Sequence, residues 1–167
     1  ENYCISAGVL AKSLIKKGTA REVSYDELMD VLNRAEKEGL IHGTSNMEKS
    51  SMFVCSCCPC CCGVFKQVRT YRDELNHEEF EKLLPERSFE PEIGEECQKC
   101  KLCAEKCPMQ VISYTEEEDR MQIDLSYCIG CGICAANCPH DAITLKKIKE
   151  VEYPKGLIGL GRKLMKH

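Results

Sequence analysis

Cys97-Gln-Lys-Cys100-Lys-Leu-Cys103-Ala-Glu-Lys-Cys107-Pro108 and Cys128-Ile-Gly-Cys131-Gly-Ile-Cys134-Ala-Ala-Asn-Cys138-Pro139 are two copies of one pattern, Cys-x-x-Cys-x-x-Cys-x-x-x-Cys-Pro. A shift of 31 residues superposes all four cysteines and the proline, and also brings Ala104 onto Ala135 and Ile112 onto Ile143. Agreement of this extent marks an internal duplication. Eight thiols at this spacing are the ligand set of two [4Fe–4S] clusters. Three cysteines at two-residue gaps let one tight loop aim three thiolates at one cube. The fourth, after a gap of three, is expected to open a short helix that points elsewhere, with Pro108 and Pro139 turning the chain out of the site.

The surrounding composition agrees with a metal protein. The chain has 167 residues, 15 of them cysteine. Such usage fits a disulfide scaffold or a metal site. Disulfide frameworks vary their spacing, whereas here the cysteines recur in Cys-x-x-Cys steps, and an odd total leaves one unpaired. No apolar run reaches membrane-spanning length, and the first residues lack the basic and apolar regions of a signal peptide. The expectation is a reducing cytoplasm, in an anaerobe because exposed cubes are oxygen-labile. The chain does not begin with Met, so this reading allows residues, ligands included, upstream of Glu1. Net charge is −4, with ten acids in residues 73–96 and seven Lys or Arg from Lys146 onward. That asymmetry favours a protein partner reached by electrostatic steering.

Upstream, Ala7, Leu10, Ala11, Leu14 and Ile15 have helical spacing and Gly18 follows as a stop. A second helix begins at a Ser24/Glu27 capping box, shows Leu28, Val31, Leu32 and Ala35 on one face, and ends at Gly39. Residues 40–42 and 52–54 read as two short strands around a polar turn. Two helices and a hairpin also fit a winged helix-turn-helix. Residues 1–52 carry seven basic and eight acidic side chains, however, which leaves no electrostatic footprint for a phosphate backbone. Structural packing is therefore the favoured role of that pair.

Next comes Cys55-Ser-Cys57-Cys58-Pro-Cys60-Cys61-Cys62, six cysteines in eight positions. One register offers two successive Cys-x-x-Cys steps: Cys55, Cys58 and Cys61. Those three are candidates for a third iron–sulfur cluster, with the fourth iron left to Cys4 or to an upstream cysteine. Open alternatives are a site based on Cys57 and Cys60, a cluster bridged by adjacent cysteines, a zinc site from Cys-x-x-Cys pairs, and a redox-labile or partly disulfide-bonded loop without metal. Beyond it, Asn76 with Glu79 opens a small helix whose Phe80, Leu83 and Leu84 would dock before Pro85 ends it, and Pro91 and Gly94 mark the start of the cluster domain. The expected organisation is a mainly helical, cysteine-rich module (1–65), an acidic connector with a short helix (66–94), the cluster domain (95–146) and a basic tail (147–167). Glycines 156, 159 and 161 argue against a free helix in that tail and favour docking on a partner over a membrane surface.

Residues 95–146 resemble bacterial-type dicluster ferredoxins. The resemblance implies an α+β, pseudo-twofold domain with two short hairpins and two cluster loops. It also implies exchange of the fourth ligand between clusters. Cluster one would be held by Cys97, Cys100, Cys103 and Cys138, and cluster two by Cys128, Cys131, Cys134 and Cys107. The longer spacer in this chain, with residues 111–114 and 121–124 flanking Glu116–Arg120, reads as an enlarged hairpin. The cysteine-rich extension looks like those on ferredoxin-like proteins of anaerobic bacteria.

The two loops differ. Gly130, Gly132, Ile129 and Ile133 let the second loop approach its cluster closely and keep it dry, whereas Gln98, Lys99 and Lys101 make the first more polar and more positive. The first cluster is therefore expected at the higher potential, unless its lysines are screened by solvent. His42, His77, His140 and His167 are scattered, with no nucleophile beside a base and no phosphate-binding loop, so no enzyme site competes. His140, beside Pro139, has either a tuning role or a plain surface one. The expected function is low-potential relay of single electrons to or from a redox enzyme, as a carrier or a delivery subunit, without nucleic acid. The competing class is an iron–sulfur redox or metal sensor using Cys55–Cys62.

Overall fold

A computed structural model describes residues 3–45, 47–48, 51–83 and 87–153. Leu84, Pro85 and the tail from 154 onward, including the glycines and His167, lie outside the described residues. The chain forms two units, one of residues up to Cys57 together with those from Glu152 onward, the other Cys58–Val151. The division falls inside the cysteine run rather than at residue 65.

The first unit runs β1 (Ile5–Ser6), α1 (Gly8–Lys16), α2 (Tyr25–Lys37), β2 (Ile41–Thr44) and β3 (Phe53–Cys57), and its antiparallel sheet has the order β1-β3-β2. The sequence did not indicate β1. It pairs Ile5 with Val54 and Ser6 with Phe53, and the Ala7 N–H donates to the Met52 carbonyl. Helix α2 starts as its sequence dictates, because the Ser24 hydroxyl accepts from the Glu27 N–H and the Glu27 carboxylate accepts from the Ser24 N–H. At its far end Gly39 has φ +78°, the left-handed conformation that closes a helix cheaply. Ala35 is fully buried on the face with Leu28, Val31 and Leu32. Strand β3 extends further than residues 52–54 and carries Cys55 and Cys57, so the cysteine run begins as strand.

The second unit opens with α3 (Gly63–Glu74) and α4 (His77–Leu83), followed by β4 (Phe89–Ile93). Residues 66–94, expected as a connector, thus supply most of α3, all of α4 and a strand. Asn76 and Glu79 cap α4 reciprocally. Phe80 of that helix is 1% exposed and meets the Tyr127 ring edge-on at 5.1 Å. Around it Met109, Val111, Ile112, Met121 and Ile143 form the buried core, with Val68 and Tyr71 of α3 packed against it. The Arg72 guanidinium donates to the Met109 carbonyl, fixing α3 to the cysteine-bearing part.

That part contains α5 (Leu102–Lys106), the hairpin β5 (Ile112–Thr115) and β6 (Arg120–Ile123), α6 (Ile133–Ala136) and β7 (Ile143–Lys147). The enlarged hairpin falls where the spacer placed it. Strand β4 completes a second antiparallel pair with β7, from Phe89 opposite Lys147 to Ile93 opposite Ile143. Pro91 is tolerated because a two-stranded ribbon consists of edges. One expectation is corrected: Cys107 and Cys138 follow the short helices instead of opening them. Each precedes a proline, which bars the helical conformation from the residue before it; Cys107 accordingly has φ −65° and ψ +116°.

Replacing Phe80 with Ala would empty the largest side-chain volume that α4 contributes to the core. The expected cost is about 3–5 kcal/mol, read as a lower denaturant midpoint by far-UV circular dichroism under anaerobic conditions.

Candidate metal centres

The duplication is written in the backbone as well as in the cysteines. Lys99 and Gly130 have φ +56° and +66°, Lys101 and Gly132 have +65° and +79°, and Gln110 and Asp141 have +53° and +48°. Each pair is 31 residues apart. A left-handed residue after the first cysteine and another after the second coil the loop tightly enough for three thiols to face one point. Glycine meets that demand without strain. In the first loop two lysines bear it, at about 1–2 kcal/mol each.

Gly130 has a second reason to be glycine. A Cβ there would lie 2.4 Å from the Phe89 carbonyl oxygen of β4, and one at Gly132 would lie 3.0 Å from Leu145 Cδ1 of β7. The β4–β7 ribbon is therefore laid against the second loop at a distance that excludes any larger residue at position 130. Arg87, just before β4, donates from Nη1 to the Cys128 carbonyl at 2.9 Å and pairs with Glu90. This cation beside the second loop had no signal in the cysteine spacing.

Each loop lines a space partly open to solvent, whose fourth cysteine comes from the other copy. Cys128, Cys131 and Cys134 share a space of about 350 Å³ with Cys107, walled by Val111, Ile112, Ile123 and Ile129. Cys97, Cys100 and Cys103 share one of about 300 Å³ with Cys138, walled by Met121, Ala142 and Ile143 but also by Gln98, Lys101 and His140. The donor set fits [4Fe–4S] chemistry: four thiols, an apolar wall, and no competing nitrogen ligand in the 350 Å³ space. Backbone N–H groups already aim at the sulfurs, from Gly130 to Cys128 Sγ at 3.5 Å and from Ala142 to Cys138 Sγ at 3.4 Å.

Burial raises the Cys134 thiol to about 12 and the Cys131 thiol to about 11, and pushes Cys128 and Cys103 up as well. The cause is loss of water around a would-be thiolate, reinforced by neighbouring thiols. These sulfurs are thus protonated near neutral pH until a cation arrives, and metal loading must release the protons. The second loop is the drier of the two.

The lysines of the first loop are engaged. Lys99 pairs with Asp119, which also accepts from the Tyr114 hydroxyl at 2.6 Å. Lys101 Nζ sits 4.9 Å above the Tyr114 ring, a cation–π contact. Asp119 draws the Lys99 pKa up and is itself held below the usual carboxylate range, chiefly by that hydrogen bond.

The third-centre candidates are distributed over both units. In the first, Cys55 and Cys57 lie on one face of β3 with sulfurs 3.3 Å apart, and continuing the β1–β3 register by one residue sets Cys4 opposite Cys55. In the second, Cys58 and Cys61 converge with Cys60, their sulfurs within 4.8 Å of one another, and Cys58 is disulfide-bonded to Cys60. Among the histidines, His42 Nδ1 meets Ser56 Oγ at 2.9 Å and His77 packs edge-on to Tyr127, so both are held by structural contacts.

Gly130→Ala would combine a left-handed alanine with a backbone collision. It is expected to cost more than about 2 kcal/mol and to lower iron content, measured by thermal unfolding and iron assay; Gly63→Ala, where a Cβ meets nothing within 4 Å, should do neither.

No helix among the described residues is long and apolar enough to cross a membrane. No curated protein matches the chain. Residues 96–150 match the family described as 4Fe-4S dicluster domain, and this part of the chain is accordingly an iron–sulfur domain of ferredoxin type.

Proposed function

We propose that the chain relays single electrons through two [4Fe–4S] clusters with exchanged fourth ligands. The observation that carries this reading is the composition of the two thiol-walled spaces, each with three cysteines of one loop and the remote cysteine of the other. Bound clusters supply one-electron chemistry at potentials tuned by charge, hydrogen bonds to sulfur and solvent exposure. The chain's residues hold the sulfurs, aim N–H groups at them and exclude water. Ferredoxin-like pseudo-twofold symmetry is the natural description of a 31-residue repeat that recurs in cysteines, short helices and left-handed residues alike.

The acidic surface of the 73–96 segment suits a partner with a basic docking face, a redox enzyme or the complex containing it. Helix α2 carries four acids, Asp26, Glu27, Asp30 and Glu36, against Arg34 and Lys37, a balance that disfavours a nucleic-acid phosphate backbone. Anomalous diffraction at the iron edge would test the ligation directly. It should place Cys107 Sγ on an iron of the cube held by Cys128, Cys131 and Cys134, and iron analysis should give about eight irons per chain. Four ligands drawn from a single loop would refute the exchange.

The cluster held by Cys97, Cys100 and Cys103 should have the higher potential, because its surroundings include Gln98, Lys101 and His140 while the other is walled by isoleucines and valine. Lys99 contributes little, being paired with Asp119. Lys101→Gln should therefore lower that cluster's potential by roughly 20–40 mV, the equivalent of an exposed charge interaction of at most ~1 kcal/mol, while Lys99→Gln changes it less. Redox titration followed by electron paramagnetic resonance distinguishes the two variants.

A further inference from the structure

We propose that Cys58, Cys60 and Cys61 form a redox-gated site for one thiophilic divalent ion of the zinc class, separate from the iron–sulfur centres. Nothing in this inference depends on the two-cluster reading. The three sulfurs lie within 4.8 Å of one another, and Cys60 Sγ is 3.7 Å from Cys61 Sγ. Thiolates around one tetrahedral ion with metal–sulfur bonds of about 2.3 Å stand roughly 3.8 Å apart. Corner ligands of a cubane each bind a different iron and splay outward, so they stand farther apart than that. The spacing between Cys60 and Cys61 is that of a single ion.

The turn that gathers these sulfurs is built for the purpose. Pro59 restricts the backbone between Cys58 and Cys60, and the N–H groups of Cys61 and Cys62 both donate to the Cys58 carbonyl. The Cys61 N–H also points at Cys58 Sγ, at 3.3 Å. Such a donor lowers the charge density on a metal-bound thiolate. Arg69, from the second turn of α3, donates to the Pro59 carbonyl at 3.4 Å and fixes the turn on its helix. Because α3 begins immediately after Cys62, the triad sits beside the positive end of a 12-residue helix, which favours accumulated thiolate charge. Cys60 and Cys61 are exposed, so an ion and a fourth, exogenous ligand can reach them.

The gate is the disulfide between Cys58 and Cys60. While it stands, two of the three ligands are occupied by each other. A dithiol reductant supplies two electrons and two protons, breaking the S–S bond to give two thiols and itself becoming a cyclic disulfide. The divalent ion then displaces one proton from each of Cys58, Cys60 and Cys61 as three metal–sulfur bonds form. Oxidation runs the sequence backward: the Cys58 and Cys60 sulfurs lose two electrons to the oxidant, rejoin, and release the ion.

The test uses the full chain purified anaerobically with its iron retained. After reduction with dithiothreitol and removal of the reductant, it is incubated with zinc chloride, desalted, and analysed for zinc and iron together. The expected result is about one zinc per chain with unchanged iron, loss of at least tenfold of that zinc in Cys60→Ser and in Cys61→Ser, and no loss in Cys55→Ser. Pretreatment with oxidised glutathione should block zinc uptake, and dithiothreitol should restore it. Unchanged iron in each variant shows that it has folded. Retention of no zinc by the reduced protein would overturn the proposal. So would about twelve irons per chain, which means a third cubane, or equal zinc loss in Cys55→Ser and Cys60→Ser, which means a ligand set spread along the whole run.

Discussion

In this fold each tight loop brings three cysteines to one space, and the fourth cysteine lining that space comes from the other copy. That fourth cysteine follows the short helix of its own copy. The consequences spread outward from there. The two copies must sit with each helix end delivered to the opposite loop, so α5 and α6 pack against one another across the duplication. The prolines after Cys107 and Cys138 stop those helices where the sulfurs have to turn inward. What remains is to cover the sites, which falls to the β5–β6 hairpin, the β4–β7 ribbon and the Phe80 anchor on α4.

The elements that follow from local chemistry were legible in the sequence. The Ser24/Glu27 box, Gly39, the hairpin around Glu116–Arg120 and the Asn76/Glu79 cap all act within a few residues of themselves, so a single sequence carries their instruction. The cysteine repeat was legible because duplication supplies its own control. Strands β1 and β4 were not legible: β1 is only two residues long, and in β4 the alternation of Phe89, Pro91 and Ile93 with Glu90 and Glu92 is masked by the proline at its centre, which argues against a strand until a partner is known. The same holds for Arg87. Its role at the Cys128 carbonyl, 41 positions away, is set by the β4–β7 pairing, and no property of the segment around Arg87 specifies that carbonyl. Cys60 was legible only as half of a Cys57/Cys60 step; its grouping with Cys58 and Cys61 depends on the turn at Pro59, which spacing alone does not specify.

Comparison of the copies shows what each position is constrained by. Position 130 must be glycine for two reasons, its left-handed backbone and the Phe89 carbonyl in the path of a Cβ. Its counterpart Lys99 has the same left-handed backbone and no glycine, so backbone conformation by itself does not compel one. The difference lies in the neighbours. The second loop is overlaid by β4 and is packed tightly. At the first loop the position carries a long side chain that reaches Asp119, and the strain of a left-handed lysine is offset by that ion pair and by the Tyr114 contact of Lys101. Asymmetry between the loops is thus a packing difference before it is an electrostatic one.

That ordering bears on how charge can tune the centres. Counting lysines in the sequence assigns two positive charges to the first loop and none to the second. In the fold, Lys99 is neutralised by Asp119 and the second loop acquires Arg87, itself paired with Glu90 at 2.5 Å. Formal charge near the two sites is therefore closer to balanced than the sequence implies. Wall chemistry is not balanced, because Gln98, Lys101 and His140 border one space and isoleucines and valine border the other. Cys100 is exposed and its counterpart Cys131 is half-buried, and on the proposed two-cluster reading greater exposure favours the more negative reduced cluster whatever the fate of the surface ion pairs. The difference in potential proposed for the two halves thus rests on solvent exclusion, which the glycines of the second loop make achievable and the side chains of the first do not.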